Sequence, residues 1–234
     1  MRIAAQLAQI RDRVSAAARR AGRNPDTIAL MAVCKTFPAE AIIEAYAAGQ
    51  RLFGENRVQE FAEKHPAVAN LPDAHFHMIG HLQSNKAAKA AEIFHAVDSL
   101  DSAKLAQRLN DAAQKLNQTL DILLEINIGG EEAKTGLAPD SPEIDNILKQ
   151  AANWPALRIR GLMTVPPFTD DPEGARPYFR KLRELRDRLA GRNFPSVSFD
   201  TLSMGMSHDF EIAIEEASTC VRIGTAIFGE RHKP

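Results

Sequence analysis

The feature that most limits how this chain can fold is a regular alternation of strand-like and helix-like segments. Strand patterns occupy residues 28–35, 51–56, 75–80, 93–99, 121–128, 157–165, 197–204 and 220–228. Helical patterns fall between them at 39–48, 58–64, 85–91, 102–116, 143–152, 174–189 and 207–217. Short apolar runs separated by amphipathic helices argue for parallel strands with crossover helices outside them. Gly49, Asp101 or Ser102, and Ser141 with Pro142 stand where helices should stop or start. Eight such repeats predict an α/β fold closed as a (β/α)8 TIM barrel, with an open doubly wound sheet as the rival. Ile3, Leu7, Ile10 and Val14 recur at helical spacing ahead of the first strand. Few residues follow the eighth strand, so this N-terminal helix is expected to cover it.

With 234 residues, 44% of them hydrophobic, the chain can bury one large core, and a single domain over residues 1–234 is expected. The stretch "PPFTDDPEG" reads as a long loop within that domain and not as a linker. Lysine and arginine (29) nearly balance aspartate and glutamate (30), which gives no sign of a nucleic-acid or anionic-lipid partner. No apolar run reaches the length of a membrane span. Cys34 and Cys220, the two cysteines, each lie inside an apolar run, so a reducing, cytoplasmic setting and a small-molecule partner are expected.

In a parallel barrel the working groups gather at the carboxyl ends of the strands. There the sequence offers Lys35 in "AVCKTFP", "GEN" at 54–56, "GHLQSNK" from Gly80, Ser99, Asn127, Met163 with Thr164, "SMGMS" at 203–207 and "RIGTAIFG" at 222–229. "SMGMS" leading into a helix, together with "RIGT", suits an anion, because backbone amides and hydroxyls can converge on a phosphate. Ring closure sets the eighth strand beside the first, and therefore sets Lys35 beside that cradle. Burial and nearby positive charge favour a neutral amine, which attacks an aldehyde. A phosphorylated aldehyde satisfies both features, and pyridoxal 5'-phosphate is the cofactor of that shape. The plainer alternative is a strand-end lysine paired with a carboxylate such as Glu55.

The motifs "AVCKTFP", "GENRVQE", "HMIGHLQSNK", "VDSLD", "IRGLMTV", "LSMGMSHD" and "VRIGTAIFG", in this order, resemble the YggS/PROSC family of pyridoxal phosphate homeostasis proteins. The resemblance implies the barrel shared with alanine racemase and a Lys35 that carries the cofactor as an aldimine. It further implies Ser207, Gly224 and Thr225 at the phosphate, Ser203 and Gly205 shaping that loop, and Arg222 near the pyridine nitrogen. Asn56, His81 and Met163 would line the ring.

Racemisation needs a second acid/base opposite the lysine, a tyrosine in alanine racemase. Here Tyr46 and Tyr178 fall in outer helices, and His81 beside a glycine suits a pocket wall or a helix cap. An arginine at the pyridine nitrogen also disfavours its protonation and weakens the electron sink. The expectation is a monomeric, non-catalytic carrier that serves pyridoxal phosphate homeostasis and delivers cofactor to apoenzymes; the alternative is an amino-acid racemase or a Schiff-base aldolase. Lys134, in "GGEEAKTG" after strand five, is either a transient acceptor of the aldehyde or a solvated loop lysine.

Overall fold

In the computed structural model, which describes residues 2–131 and 134–230, eight parallel strands close into a barrel in sequence order. They are β1 (Ala29–Val33), β2 (Leu52–Glu55), β3 (His75–Met78), β4 (Ala96–Leu100), β5 (Leu120–Glu125), β6 (Leu157–Met163), β7 (Val197–Ser203) and β8 (Cys220–Ile223). The closing pair sets Ala29 opposite Cys220, Met31 opposite Arg222 and Ala32 opposite Ile223. The open-sheet alternative is thereby excluded.

Around the barrel run α1 (Arg2–Arg20), α2 (Ala39–Ala47), α3 (Val58–Val68), α4 (Ala87–Ile93), α5 (Ala103–Lys115), α6 (Pro142–Gln150), α7 (Arg176–Ala190), α8 (Phe210–Glu215) and α9 (Thr225–Phe228). Ile3, Leu7, Ile10 and Val14 form the buried stripe of α1, which packs against α2, α8 and α9, while β8 itself is packed by α8, so the N-terminal helix lies over the helices around β8 and not directly on that strand. The expected caps are present. Ser102 Oγ accepts from the Leu105 amide at 3.3 Å and opens α5, and Ser141 Oγ accepts from the Glu143 amide at 3.2 Å and opens α6. Between barrel and helices, the rings of Phe61, Phe76 and Phe94 meet with centroids 4.8 Å apart in both pairs. Among the described residues no helix is long and apolar enough to cross a membrane.

Three expected boundaries are corrected. Residue 93 ends α4 instead of starting a strand, because Ile93 faces the core together with Ala87, Ala90 and Ala91 at helical spacing. The eighth strand stops at Ile223, not at 228: Gly224 breaks it, and residues 225–228 turn into α9. Residues 207–209 form a turn instead of the first turn of a helix. There the Asp209 carboxylate accepts from the Met206 amide at 2.6 Å, and α8 begins only at Phe210.

Candidate functional site

β1 delivers Lys35 into a tight turn at the carboxyl end of the barrel. The Cys34 amide donates to the Gly54 carbonyl at 3.0 Å, and the Phe37 amide donates back to the Cys34 carbonyl at 3.1 Å. Thr36 adopts a φ of 68°, an uncommon conformation for a β-branched residue, and its amide is anchored by Glu60 Oε1 at 2.6 Å. Half-buried Lys35 is thus mounted on a strained turn that its surroundings hold in place. Fully buried Glu55, the carboxylate offered by sequence as a partner for Lys35, binds Lys64 Nζ at 2.9 Å. Lys64 also reaches Glu60 Oε1 at 2.7 Å and the Cys34 carbonyl at 3.2 Å. Burial pushes the Glu55 carboxyl up, and Lys64 partly pulls it back. Desolvation works against the Lys64 ammonium, but its bonds to Glu60 and Glu55 outweigh that and hold it above its ordinary value. Burial drives the Cys34 thiol well above its usual range, which suits a packing role for the residue next to Lys35.

The loop after β8 touches this turn. A Cβ at Gly224 would lie 3.2 Å from the Val33 carbonyl, so a side chain there would press on the backbone that leads to Lys35. The Phe37 and Phe228 rings sit 5.1 Å apart and tie the two segments together. Ser207, from the neighbouring loop, accepts at Oγ from the Ala226 amide at 3.4 Å. Gly205 has a φ of 93°, and a Cβ on it would lie 2.5 Å from Ala213 Cβ, so this turn needs glycine for both conformation and space. Buried Arg222 donates from Nη1 to Ser203 Oγ and from Nη2 to the Thr164 carbonyl, both at 2.7 Å. Its own amide donates to the Gly205 carbonyl at 3.0 Å, so one residue braces both loops. Ser207, Gly224 and Thr225 therefore converge, with Ser203 and Gly205 behind them.

The other side of the mouth comes from β2, β3, β5 and β6. A Cβ at Gly80 would fall 2.3 Å from the Asn56 carbonyl, so glycine lets the turn after β3 lie against Asn56. Asn56 Oδ1 is buried and has no hydrogen-bond partner. Met163 is fully buried, in register with Glu125 on one side and Ser203 on the other. His81 is exposed, with Nδ1 3.4 Å from Asp101 Oδ2, which puts it at the edge of the mouth. Lys134 Nζ donates to the Pro166 carbonyl at 3.2 Å and pairs with Glu131, while residues 132 and 133 of its motif lie outside the described residues. Sequence reasoning did not single out Glu125, which accepts from Thr135 Oγ1 at 3.0 Å and leaves Oε2 unpartnered. Burial raises the pKa of its carboxyl, and the Thr135 hydroxyl opposes that rise. The only sequence signal for Glu125 is a charged residue directly after the apolar run at 122–124.

Residues 5–232 match the family described as alanine racemase, N-terminal domain. A curated pyridoxal phosphate homeostasis protein of Aquifex aeolicus is 45% identical over 226 residues, which cover 97% of each chain. The chain belongs to the pyridoxal phosphate homeostasis protein family. The Escherichia coli member is 46% identical over 98% of this chain and 97% of its own. The solved structure of PipY from Synechococcus elongatus with PLP bound superposes at a TM-score of 0.83. It is 37% identical, and the match covers 97% of this chain and all of PipY's.

The residues present here fit the group for which the family is named. The glycines at 205 and 224 let their loops lie close against Ala213 and the Val33 backbone, and the hydroxyls of Ser207 and Thr225 are of the type that binds phosphate. The unpartnered amide oxygen of Asn56 is a buried polar atom that a polar ring substituent, meeting either end of the amide, would satisfy.

Proposed function

We propose that this protein binds pyridoxal 5'-phosphate at the carboxyl end of the barrel and serves as an intracellular carrier of it, releasing it to apoenzymes, and that it works as a monomer without catalysing a reaction of its own. The cofactor supplies an aldehyde and an electron-withdrawing ring. Lys35 contributes the amine that bonds the aldehyde, and Ser207, Gly224 and Thr225 hold the phosphate on a loop shaped by Ser203 and Gly205. Asn56, His81 and Met163 line the ring, and Arg222 stands by its nitrogen.

The junction of β1 with β8 carries this reading: Gly224 lies against Val33, two residues before Lys35, and Phe37 lies against Phe228. A carrier role, in preference to a catalyst, follows from the character of the neighbouring groups. Arg222 is always charged and is fastened by Ser203 and Thr164, so a pyridine nitrogen beside it stays unprotonated and the ring stays a weak electron sink. Both tyrosines are committed to outer helices. The Tyr46 hydroxyl donates to the Pro72 carbonyl at 3.0 Å, and Tyr178 lies under Lys181 on α7.

Borohydride reduction followed by peptide mass spectrometry tests the attachment. The expected result is a reduced pyridoxyl phosphate adduct on Lys35; an adduct confined to other lysines would overturn the assignment. Sustained deuterium exchange at the α-carbon of an amino acid, dependent on Lys35, would instead make the protein a catalyst.

A further inference from the structure

A cavity opens at the amino-terminal end of the barrel, opposite Lys35. It measures about 370 Å³, inside the range of ~300–1,000 Å³ typical of small-molecule sites. The amino-terminal ends of the strands and the loops before them form it, among them Ala29, Leu52, Ala96, Thr219 and Cys220. Its lining carries four carboxylates, Asp26, Asp98, Asp121 and Asp200, against one guanidinium, Arg160. Arg160 is already engaged, with Nε 3.4 Å from Asp121 Oδ1. Asp26 and Asp200 are exposed at the rim, whereas Asp98 is only 1% exposed. Asp98 Oδ1 meets His77 Nδ1 at 3.1 Å, but Oδ2 is buried with no hydrogen-bond partner.

We propose that this cavity is a binding site for a small aliphatic di- or polyammonium ion, one ammonium bonding Asp98 and another lying between the rim carboxylates Asp26 and Asp200. A buried carboxylate oxygen without a donor is costly, and an ammonium supplies both the donors and the opposite charge. Leu52, Ala96, Ile122 and Leu123 give the wall an apolar stretch against which methylenes can lie between the charged ends. A metal ion does not fit, because no group of three or more His, Cys, Asp or Glu among the described residues is arranged to hold one. An anion would face three carboxylates not neutralised by Arg160. The site shares no residue with the cofactor mouth, so it stands or falls independently of the reading given above.

The test is calorimetric titration of the intact protein with 1,4-diaminobutane and with spermidine at low salt, alongside amide chemical shifts. Saturable one-site binding is expected, with shifts centred on Ala29, Ala96, Leu123 and Cys220 and with no binding of uncharged 1,4-butanediol. Asp98→Asn keeps the acceptor toward His77 and should weaken affinity about tenfold, as loss of a charge-assisted bond does. The rim pair Asp26→Asn with Asp200→Asn, on exposed positions where folding is undisturbed, should weaken it about threefold. Shifts scattered over the surface, equal binding by butanediol, or affinity unchanged in both the Asp98 and the rim variants would overturn the proposal.

Discussion

The two mouths of this barrel are built from the same eight strands, yet their chemistry is opposite. At the carboxyl end the groups proposed for the cofactor sit on loops, as Lys35, Ser207 and Gly224 do, or open a short helix, as Thr225 opens α9, while Arg222 is buried on β8. At the amino end most of the lining belongs to the strands themselves, and carboxylates dominate. A loop can bend to bring backbone amides and hydroxyls onto one point, and the positive φ values of Thr36 and Gly205 are the conformational cost of that convergence. A strand presents only side chains, so its mouth takes its character from their charge. The anion cradle and the cation cavity proposed above thus lie at opposite ends of one scaffold.

The sharpest way to break this contrast is Lys35→Ala. It should abolish the reduced covalent adduct entirely while leaving diamine binding at the opposite end unchanged in calorimetry; loss of both would mean that the two ends are not separable. Gly205→Ala should cost about 1–3 kcal/mol in denaturant unfolding, because a Cβ meets Ala213 and the left-handed turn must be kept. It should also speed cofactor loss measured by absorbance, and parental stability with parental retention would show that the turn tolerates a side chain.

A smaller effect concerns pH. Burial raises the Glu125 carboxyl above its ordinary 4.5, so the folded state holds this proton more tightly than the unfolded chain does. The stability this contributes is present in acid and is lost as pH rises through the folded-state value. Glu125→Gln removes the ionisation and keeps an acceptor for Thr135, so its melting temperature should gain on the parent's as pH rises above the ordinary carboxylate range. A gap that does not change with pH would show that this ionisation is not felt. Smallest is Lys134→Ala, which should alter stability by less than about 1 kcal/mol, since its ion pair is partly solvated. Stopped-flow transfer of cofactor to an apoenzyme should keep the parental rate, with Lys134 a loop anchor to Pro166; a slowed transfer would make it a transient acceptor of the aldehyde.

Much of the carboxyl-end mouth was legible because its signals are local. Lysine at the end of an apolar run, glycines at 205 and 224, and hydroxyls at 203, 207 and 225 can each be read within a few residues. The pairing of Lys64 with Glu55 and the turn closed by Asp209 were not legible. Lys64 reads as one more charge on a helix face until α3 is laid beside the β1 turn, and Asp209 looks like a helix residue until its carboxylate takes the Met206 amide. The amino-end cavity gave still less warning. Asp26, Asp98, Asp121 and Asp200 are spread over most of the chain, and nothing near any one of them hints at the others.

By itself, then, the order of residues determined the number of strands, their parallel sense and the outward helices, because apolar periodicity and caps act over a few residues at a time. Only the closed barrel decided which distant groups share a pocket. Strand pairing across the seam between β1 and β8, and burial that leaves Asn56 and Asp98 each with an unsatisfied oxygen, are consequences of ring geometry that no local pattern carries.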